Sequence, residues 1–311
     1  MAQEMAAADM SETASAPADS RRVEVIAVFG PTASGKTEVA EAVADALGTE
    51  VVSADAMQVY RGLPILTNQP QRPTRLVAIR SLAEEMSLGA FASLAHAAVD
   101  ELVAETGTAV VAGGTGLYLR AAVADLDVPP VAPPDLRGRI EEEVERDRAA
   151  AHERLAVLDP AAAANVHVND RQRLVRALEL AEAGETLAPS EGRLWDSRTR
   201  RPTRIFGLEV ESQELERRIR TRTEEMFARG VVDEVRTALA QPVSRTAEKT
   251  LGLSEIAELP ADEALECIVV RTRRYAAYQR KWMRRIPGIV LVDAGRAPAT
   301  VADDVLARAA G

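Results

Sequence analysis

Residues 30–37 read GPTASGKT, an unbroken G-x-x-x-x-G-K-T run set between two patterned segments. Before it, VEVIAVFG (23–30) is apolar and β-branched and stops at a glycine, which predicts a buried strand. After it, Val39, Val43, Ala46 and Leu47 share one face of a helix that Gly48 ends. No other feature restricts the fold as strongly. A strand, a glycine-rich turn and a helix in that order aim backbone N–H groups at one point, where the positive end of the helix favours an anion. Gly30, Pro31, Thr32, Ala33, Ser34, Gly35, Lys36 and Thr37 are therefore candidate phosphate-binding residues. Lys36 supplies a mobile cation, and the Thr37 hydroxyl is the candidate ligand for Mg²⁺.

The segments that follow extend this unit into a sheet. TEVVSAD predicts a second short strand, so the connection is a crossover between parallel strands. RGLPILTNQPQRPTR carries three prolines and predicts a loop. SLGAFASLAHAAVDELVAETG predicts a helix, TAVVAGG (108–114) a third buried strand, and LYLRAAVADL another helix. DVPPVAPPD (127–135) then breaks the chain, and residues 136–183 are helical in pattern, densely charged and without a strand signal. PTRIFGLEV (202–210) restores a strand, helices begin near Ser212 with a stop at Gly230, and IVLVDA (289–294) is the last strand. The predicted fold class is α/β, a P-loop NTPase-like parallel sheet flanked by helices. Its core comprises residues 23–127 and 198–311, interrupted by a helical insertion at 128–197.

Composition narrows the function. One cysteine, Cys267, excludes an internal disulfide framework and a cysteine-rich zinc site, and its apolar surroundings predict a buried structural thiol. His96, His152 and His167 are too scattered to suggest a metal cluster. No apolar run approaches the roughly 20 residues of a membrane span. The opening MAQEMAAADMSETASAPADS lacks a basic start and an apolar stretch, so residues 1–22 are expected to be a disordered tail and not a secretory signal, in a cytoplasmic chain. The net charge of -10 argues against a nucleic-acid partner, yet residues 268–292 carry seven Lys/Arg and no acid, and 193–204 carries five arginines against Asp196. Such segregation allows a basic face on an acidic protein.

Phosphate-loop kinases and NTPases need an acid at a strand end to help hold Mg²⁺. TAVVAGG ends in Gly113, Gly114 and Thr115, whereas EVVSAD ends in Asp55. Asp55 can be a metal-supporting acid, a base aimed at an incoming substrate, or an N-cap for AMQVYR. Thr115 can orient a reacting group or cap the helix after it. Arg218 and Arg222 stand four apart in LERRIRTRTEEM and share a face, which suits either a ligand or pairing with Glu214 and Glu225. Tyr275, Tyr278 and Trp282 recur at helical spacing in TRRYAAYQRKWMRR, which predicts core packing for the aromatics.

The ordered set GPTASGKT, SADAMQVYRGL, GGTGLYLRA, HVNDRQRLVRALEL and TRRYAAYQRKWMR resembles the tRNA dimethylallyltransferase (isopentenyltransferase) family over nearly all of residues 23–293. That resemblance implies transfer of a dimethylallyl group from its diphosphate to N6 of the adenosine 3′-adjacent to the anticodon, with Mg²⁺ and without nucleotide hydrolysis. It implies that the phosphate loop and Arg222 grip the diphosphate, that Asp55 is the general base, and that Thr115 stands at the reacting site. It further implies tRNA contacts from Asp55, Ala56, Met57, Gln58, Thr115, Arg137, Gln172, Arg173, Leu174, Val175 and Arg176, with the insertion taking part. The partners so implied are the tRNA anticodon stem-loop and dimethylallyl diphosphate, with no membrane, and the chain is expected to be a monomer. The sequence departs from the family pattern at LPILTNQPQRPTRLVAIR, where Asn68 stands for a lysine and a paired histidine stretch has no counterpart. Two other readings are a small-molecule or nucleoside kinase with a lid-like insertion, and a non-catalytic nucleotide-binding regulator. The missing carboxylate after TAVVAGG and the basic segments favour the RNA prenyltransferase over the first, and the number of candidate site groups favours it over the second.

Overall fold

The computed structural model describes residues 22–126, 133–188 and 196–311. The tail expected at 1–22 lies outside these residues apart from Arg22, as do 127–132 of the proline-dense break and 189–195 at the far edge of the insertion.

The first strand, β1 (Val25–Phe29), leads through the glycine loop into α1 (Lys36–Leu47), and β2 (Val51–Ser53) follows. Next come α2 (Leu88–Thr106), β3 (Ala109–Gly113) and α3 (Gly116–Val123). The insertion supplies α4 (Pro134–Arg146), α5 (Arg148–Leu158), the single turn α6 (Pro160–Ala163) and α7 (Arg171–Glu182). After it run β4 (Thr203–Glu209), α8 (Ser212–Ala228), α9 (Val231–Leu239), α10 (Leu253–Glu258), α11 (Ala261–Met283), β5 (Val290–Asp293) and α12 (Pro298–Ala310).

All strand pairings are parallel, in the order β2-β3-β1-β4-β5. Each residue of β1 is buried, which is why its sequence is an apolar run and not an alternation. Val25, Ala27 and Phe29 face one layer with Phe91 and Val99 of α2 and Leu119 of α3. Ile26 and Val28 face the other with Val39 and Val43 of α1 and Val301 and Val305 of α12. The chain leaves β1 across one face toward β2, and leaves β3 toward β4 on the other side. Neighbouring strands whose connections diverge open a crevice at their carboxyl ends, where α/β sheets bind ligands. The glycine loop after β1 and the Gly114–Thr115 turn after β3 flank that crevice.

The insertion has an apolar core of its own, built from Ile140, Val144, Ala151, Leu155, Leu174 and Leu178 among others. Aspartates start its helices: Asp147 accepts from the Ala149 and Ala150 amides, Asp159 from Ala162, and Asp170 from Arg173. Two expectations are corrected here. Cys267 is half-buried instead of sealed in the core. Of the three aromatics in TRRYAAYQRKWMRR only Trp282 packs against the core, because Tyr278 is 55% exposed and Tyr275 turns into the crevice.

Candidate active site

The glycine loop takes the shape its sequence predicts. Gly35 has φ +84°, a conformation side-chain-bearing residues rarely adopt, and it directs the chain into α1. Lys36 and Thr37 stand at the head of that helix, and both line two adjoining clefts. One, of about 340 Å³, runs between the loop, Arg218, Asn68 and Arg296. The other, of about 510 Å³, holds Thr32, Lys36, Thr37, Asp55, Thr115, Arg222 and Tyr275. Burial lowers the Lys36 ammonium from its ordinary value; Asp55 opposes this, and Arg222 adds to it. Burial likewise lowers the Arg222 guanidinium, again against Asp55. An uncompensated pair of half-buried cations, with Asp55 as the nearby acid, marks a place for a polyanion.

The alternatives left open for Arg222 are resolved by geometry. Its Nη2 donates to Thr32 Oγ1 at 2.5 Å, so the side chain reaches into the loop and not out to Glu214 or Glu225. Arg218 is the one held by Glu214, at 2.7 Å. Arg222 Nε and Ser34 Oγ are buried and have no hydrogen-bond partner among the described residues. Such groups are costly to leave unmatched, and both residues line the first cleft beside Lys36.

Asp55 sits two residues past β2, and its Oδ1 accepts the Met57 amide at 2.9 Å, closing a tight turn and not capping a helix. The second carboxylate oxygen remains available to the cleft. Across the cleft, Thr115 Oγ1 meets the Tyr275 hydroxyl at 3.0 Å. Burial, with Asp55 nearby, pushes the Tyr275 phenol up to about 12, so it stays protonated and a hydrogen-bond partner. Ala56 and Met57 line the wall beside Asp55.

The rest of the expected RNA contacts divide. Gln172 and Arg173 are exposed on α7. Leu174 and Val175 are buried, at 0% and 1%, so their side chains belong to the insertion core and the expected side-chain contact is withdrawn. Arg137 and Arg176 both clamp Glu179, whose side chain is fully buried, at 2.8 Å and 3.0 Å. Gln58 lines the same cleft as Asp55. Its carboxamide accepts from Ser53 and donates to the Asn68 carbonyl, each at 2.9 Å, so it shapes the cleft wall. The atypical loop is held in the same way, with the Glu234 carboxylate accepting the Ile65 and Leu66 amides at 2.8 Å each. Asn68 sits on that loop with φ +48° and lines both clefts.

The basic runs are less bare than their sequence suggests. Arg193 lies outside the described residues, while Arg201 pairs with Asp100 and Glu24, Arg200 with Asp100, and Arg198 with Asp196. On α11, Arg271 pairs with Glu255 and Arg273 with Glu216. The residue that sequence reasoning missed is Gln279, 3% exposed on α11. Its Oε1 accepts the Thr32 amide at 2.8 Å and its Nε2 donates to the Gly114 carbonyl at 2.7 Å. It lies within TRRYAAYQRKWMR, one of the stretches that carry the resemblance, but the signal for its own role is only an uncharged polar residue on the buried side of a basic helix.

Sheet order, loop and cleft together define a P-loop-like α/β enzyme whose phosphate loop shares one cleft with a carboxylate and a threonine. A family model described as IPP transferase matches residues 58–286, and a second, isopentenyl transferase, matches 23–81. The chain is 40% identical over 287 residues to the tRNA dimethylallyltransferase of Anaeromyxobacter dehalogenans strain 2CP-C, covering 87% of this chain and 95% of that protein. It is 38% identical to the Salinispora tropica tRNA dimethylallyltransferase, covering 93% and 94%. Among solved structures, the full-length tRNA isopentenylpyrophosphate transferase of Bacillus halodurans matches with TM-score 0.65 and 28% identity, over 93% and 97% of the two chains. A eukaryotic dimethylallyltransferase solved acting on tRNA shares the fold, with TM-score 0.70 at 23% identity over 88% and 74%. The chain belongs to the IPP transferase family.

Proposed function

We propose that the protein transfers a dimethylallyl group from dimethylallyl diphosphate to N6 of the adenosine 3′-adjacent to the anticodon of tRNA, releasing diphosphate. The observation that carries this reading is the single cleft that joins the phosphate loop and Arg222 to Asp55 and Thr115. A kinase needs an acceptor hydroxyl in line with phosphorus. Here the carboxylate and the loop line one cleft, so a nucleophile beside Asp55 can meet the carbon end of a diphosphate ester gripped by the loop.

The chemistry follows from those positions. The adenine nitrogen attacks the allylic carbon, the carbon–oxygen bond breaks, and the electron pair leaves with diphosphate. Loop amides, Lys36 and Arg222 take up the growing charge on the leaving oxygens. The nitrogen gains a proton's worth of positive charge, and Asp55 accepts that proton. Thr115, oriented by Tyr275, is placed to hydrogen-bond the bridging oxygen or the base. Among the described residues no three His, Cys, Asp or Glu side chains converge on a metal position. Mg²⁺ in phosphate sites takes one or two protein ligands with the rest from phosphate and water. Thr37 would hold it, and the ion would supply charge neutralisation at the leaving group.

The adenosine must leave its stack to reach the cleft. Gln172 and Arg173 on the exposed face of α7 are the insertion groups suited to hold the loop around it. Among the described residues no helix is long and apolar enough to cross a membrane, and we place the reaction in the cytoplasm with a monomeric enzyme. The test is incubation with labelled dimethylallyl diphosphate and unmodified tRNA. Label is expected to enter RNA with release of diphosphate. Label staying out of RNA while ATP is consumed by a small acceptor would replace this reading with the kinase.

A further inference from the structure

We propose that Gln279 is a positioning residue that sets the distance between the phosphate loop and the Thr115 turn, and so between leaving group and nucleophile. The proposal deepens the prenyl-transfer reading and rests on it. Two backbone segments, last joined directly by the Gly30 N–H to the Gly113 carbonyl at 3.4 Å, meet again on one carboxamide where they separate. Thr32 N–H can only donate and the Gly114 carbonyl can only accept, so the orientation of the amide is fixed by its partners. Both bonds are buried, and α11 carries them across the open end of the crevice.

The fit is tight enough to act as a spacer. A Cβ at Gly114 would stand 2.4 Å from Gln279 Nε2, 3.0 Å from the Gly30 carbonyl oxygen and 3.4 Å from Lys36 Cε. Glycine at 114 is what lets the carboxamide, the start of the phosphate loop and the lysine stem approach one another. One turn earlier on the same helix, Tyr275 holds the Thr115 hydroxyl. One face of α11 thus fixes the loop at Thr32, the turn at Gly114 and the side chain at Thr115. None of these contacts requires Gln279 to touch a substrate.

A misplacement of about 1 Å between reacting groups can cost on the order of 10²-fold in rate. Gln279→Met keeps the length and removes both bonds. It is expected to lower kcat by about that factor and leave the KM for tRNA near its original value. Gln279→Glu gives the sharper readout. The introduced carboxyl can accept from Thr32 in either state but can donate to Gly114 only when protonated, and burial raises its pKa. The ratio of Gln279→Glu to wild-type kcat is therefore expected to climb as pH falls from 8.5 to 6, a trend that a general loss of folding would not give. The melting temperature of each variant is recorded alongside.

A ratio flat in pH, or Gln279→Met activity within twofold of wild type, overturns the proposal. If Gln279→Met does not fold, the pH trend of Gln279→Glu decides. Should wild-type enzyme fail to prenylate tRNA, the prenyl-transfer reading falls. The positioning role is then decided by calorimetry with inorganic pyrophosphate, whose affinity for Gln279→Glu relative to wild type should rise on acidification and overturns the role if it does not.

Discussion

The crevice and the insertion are held together by opposite means. At the crevice, groups distant in sequence meet through directional bonds, part-buried for Arg222 on Thr32 and Tyr275 on Thr115 and buried for Gln279 on Thr32 and Gly114. In the insertion, a compact apolar core lies under a skin of ion pairs such as Arg137–Glu141 and Arg154–Glu143, and the fully buried carboxylate of Glu179 is held by Arg137 and Arg176 of the same unit. Its described polar link to the sheet body includes Arg245, which reaches Glu141 at the surface. Arrangements that must hold reacting atoms at a fixed distance use desolvated, directional bonds. A unit that must fit a large, variable RNA surface needs only to be folded and loosely anchored.

The largest effect that separates the two regions belongs to Asp55. Asp55→Asn keeps the oxygen that accepts the Met57 amide and removes the proton acceptor. Turnover is expected to fall by roughly 10²–10⁴-fold with tRNA affinity preserved, measured by single-turnover prenylation and filter binding. A fall of only a few-fold would remove Asp55 from the role of base. A parallel loss of tRNA binding would make it a positioning group of the RNA surface, and the division between the two regions would blur.

Leu174→Ala tests the other side. Leu174 is fully buried in the insertion core, so its truncation should cost about 2–5 kcal/mol there. If the regions are energetically separate, denaturant unfolding becomes biphasic and tRNA affinity drops, while inorganic pyrophosphate still binds as in wild type. A single transition that carries pyrophosphate binding down with it would show that the insertion and sheet fold as one unit.

How much of this was legible in the sequence follows the same line. The strand, the glycine loop, Lys36 and the end positions Asp55 and Thr115 are local in sequence, and they fall where pattern and motif put them. Arg222 was legible as one face of α8, but its direction depends on Thr32, 190 residues away. Gln279 was not legible, because an amphipathic basic helix gives no sign of which polar residue faces inward. The same blindness applies to charge. The 193–204 run reads as basic only until Arg200 and Arg201 meet Asp100, and Arg201 also meets Glu24. Leu174 and Val175 sit inside a stretch whose resemblance marks RNA contact, but helical periodicity turns those two side chains inward.

A smaller effect probes the electrostatics of the crevice. Burial lowers the Lys36 ammonium, so without a bound anion it loses its proton at a pH below the ordinary 10.5. Only the cation attracts diphosphate, so affinity for inorganic pyrophosphate is present below the lowered value and lost as pH rises through it. Lys36→Arg, whose guanidinium holds its charge past pH 12, should flatten that alkaline loss. Calorimetric titrations at several pH values above 8 check both. An alkaline limb identical in the two proteins would mean that another group controls the site.

The smallest expected effect concerns the anchor. Arg245 reaches both oxygens of Glu141 at 2.8 Å, and Glu85 at 3.3 Å, but its side chain is 47% exposed. Exposed pairs contribute about 0.2–1 kcal/mol because water screens the attraction and ordering two long side chains opposes it. Glu141 also keeps Arg137 at 3.0 Å, so the carboxylate is not left unpaired when Arg245 is removed. Arg245→Ala should therefore cost no more than that range in urea unfolding, and the cost should shrink in 1 M salt, where the screening length falls to about 3 Å. A salt-independent loss above about 2 kcal/mol would place this contact with the buried bonds of the crevice, and the insertion would then be fixed to the sheet as firmly as the phosphate loop is.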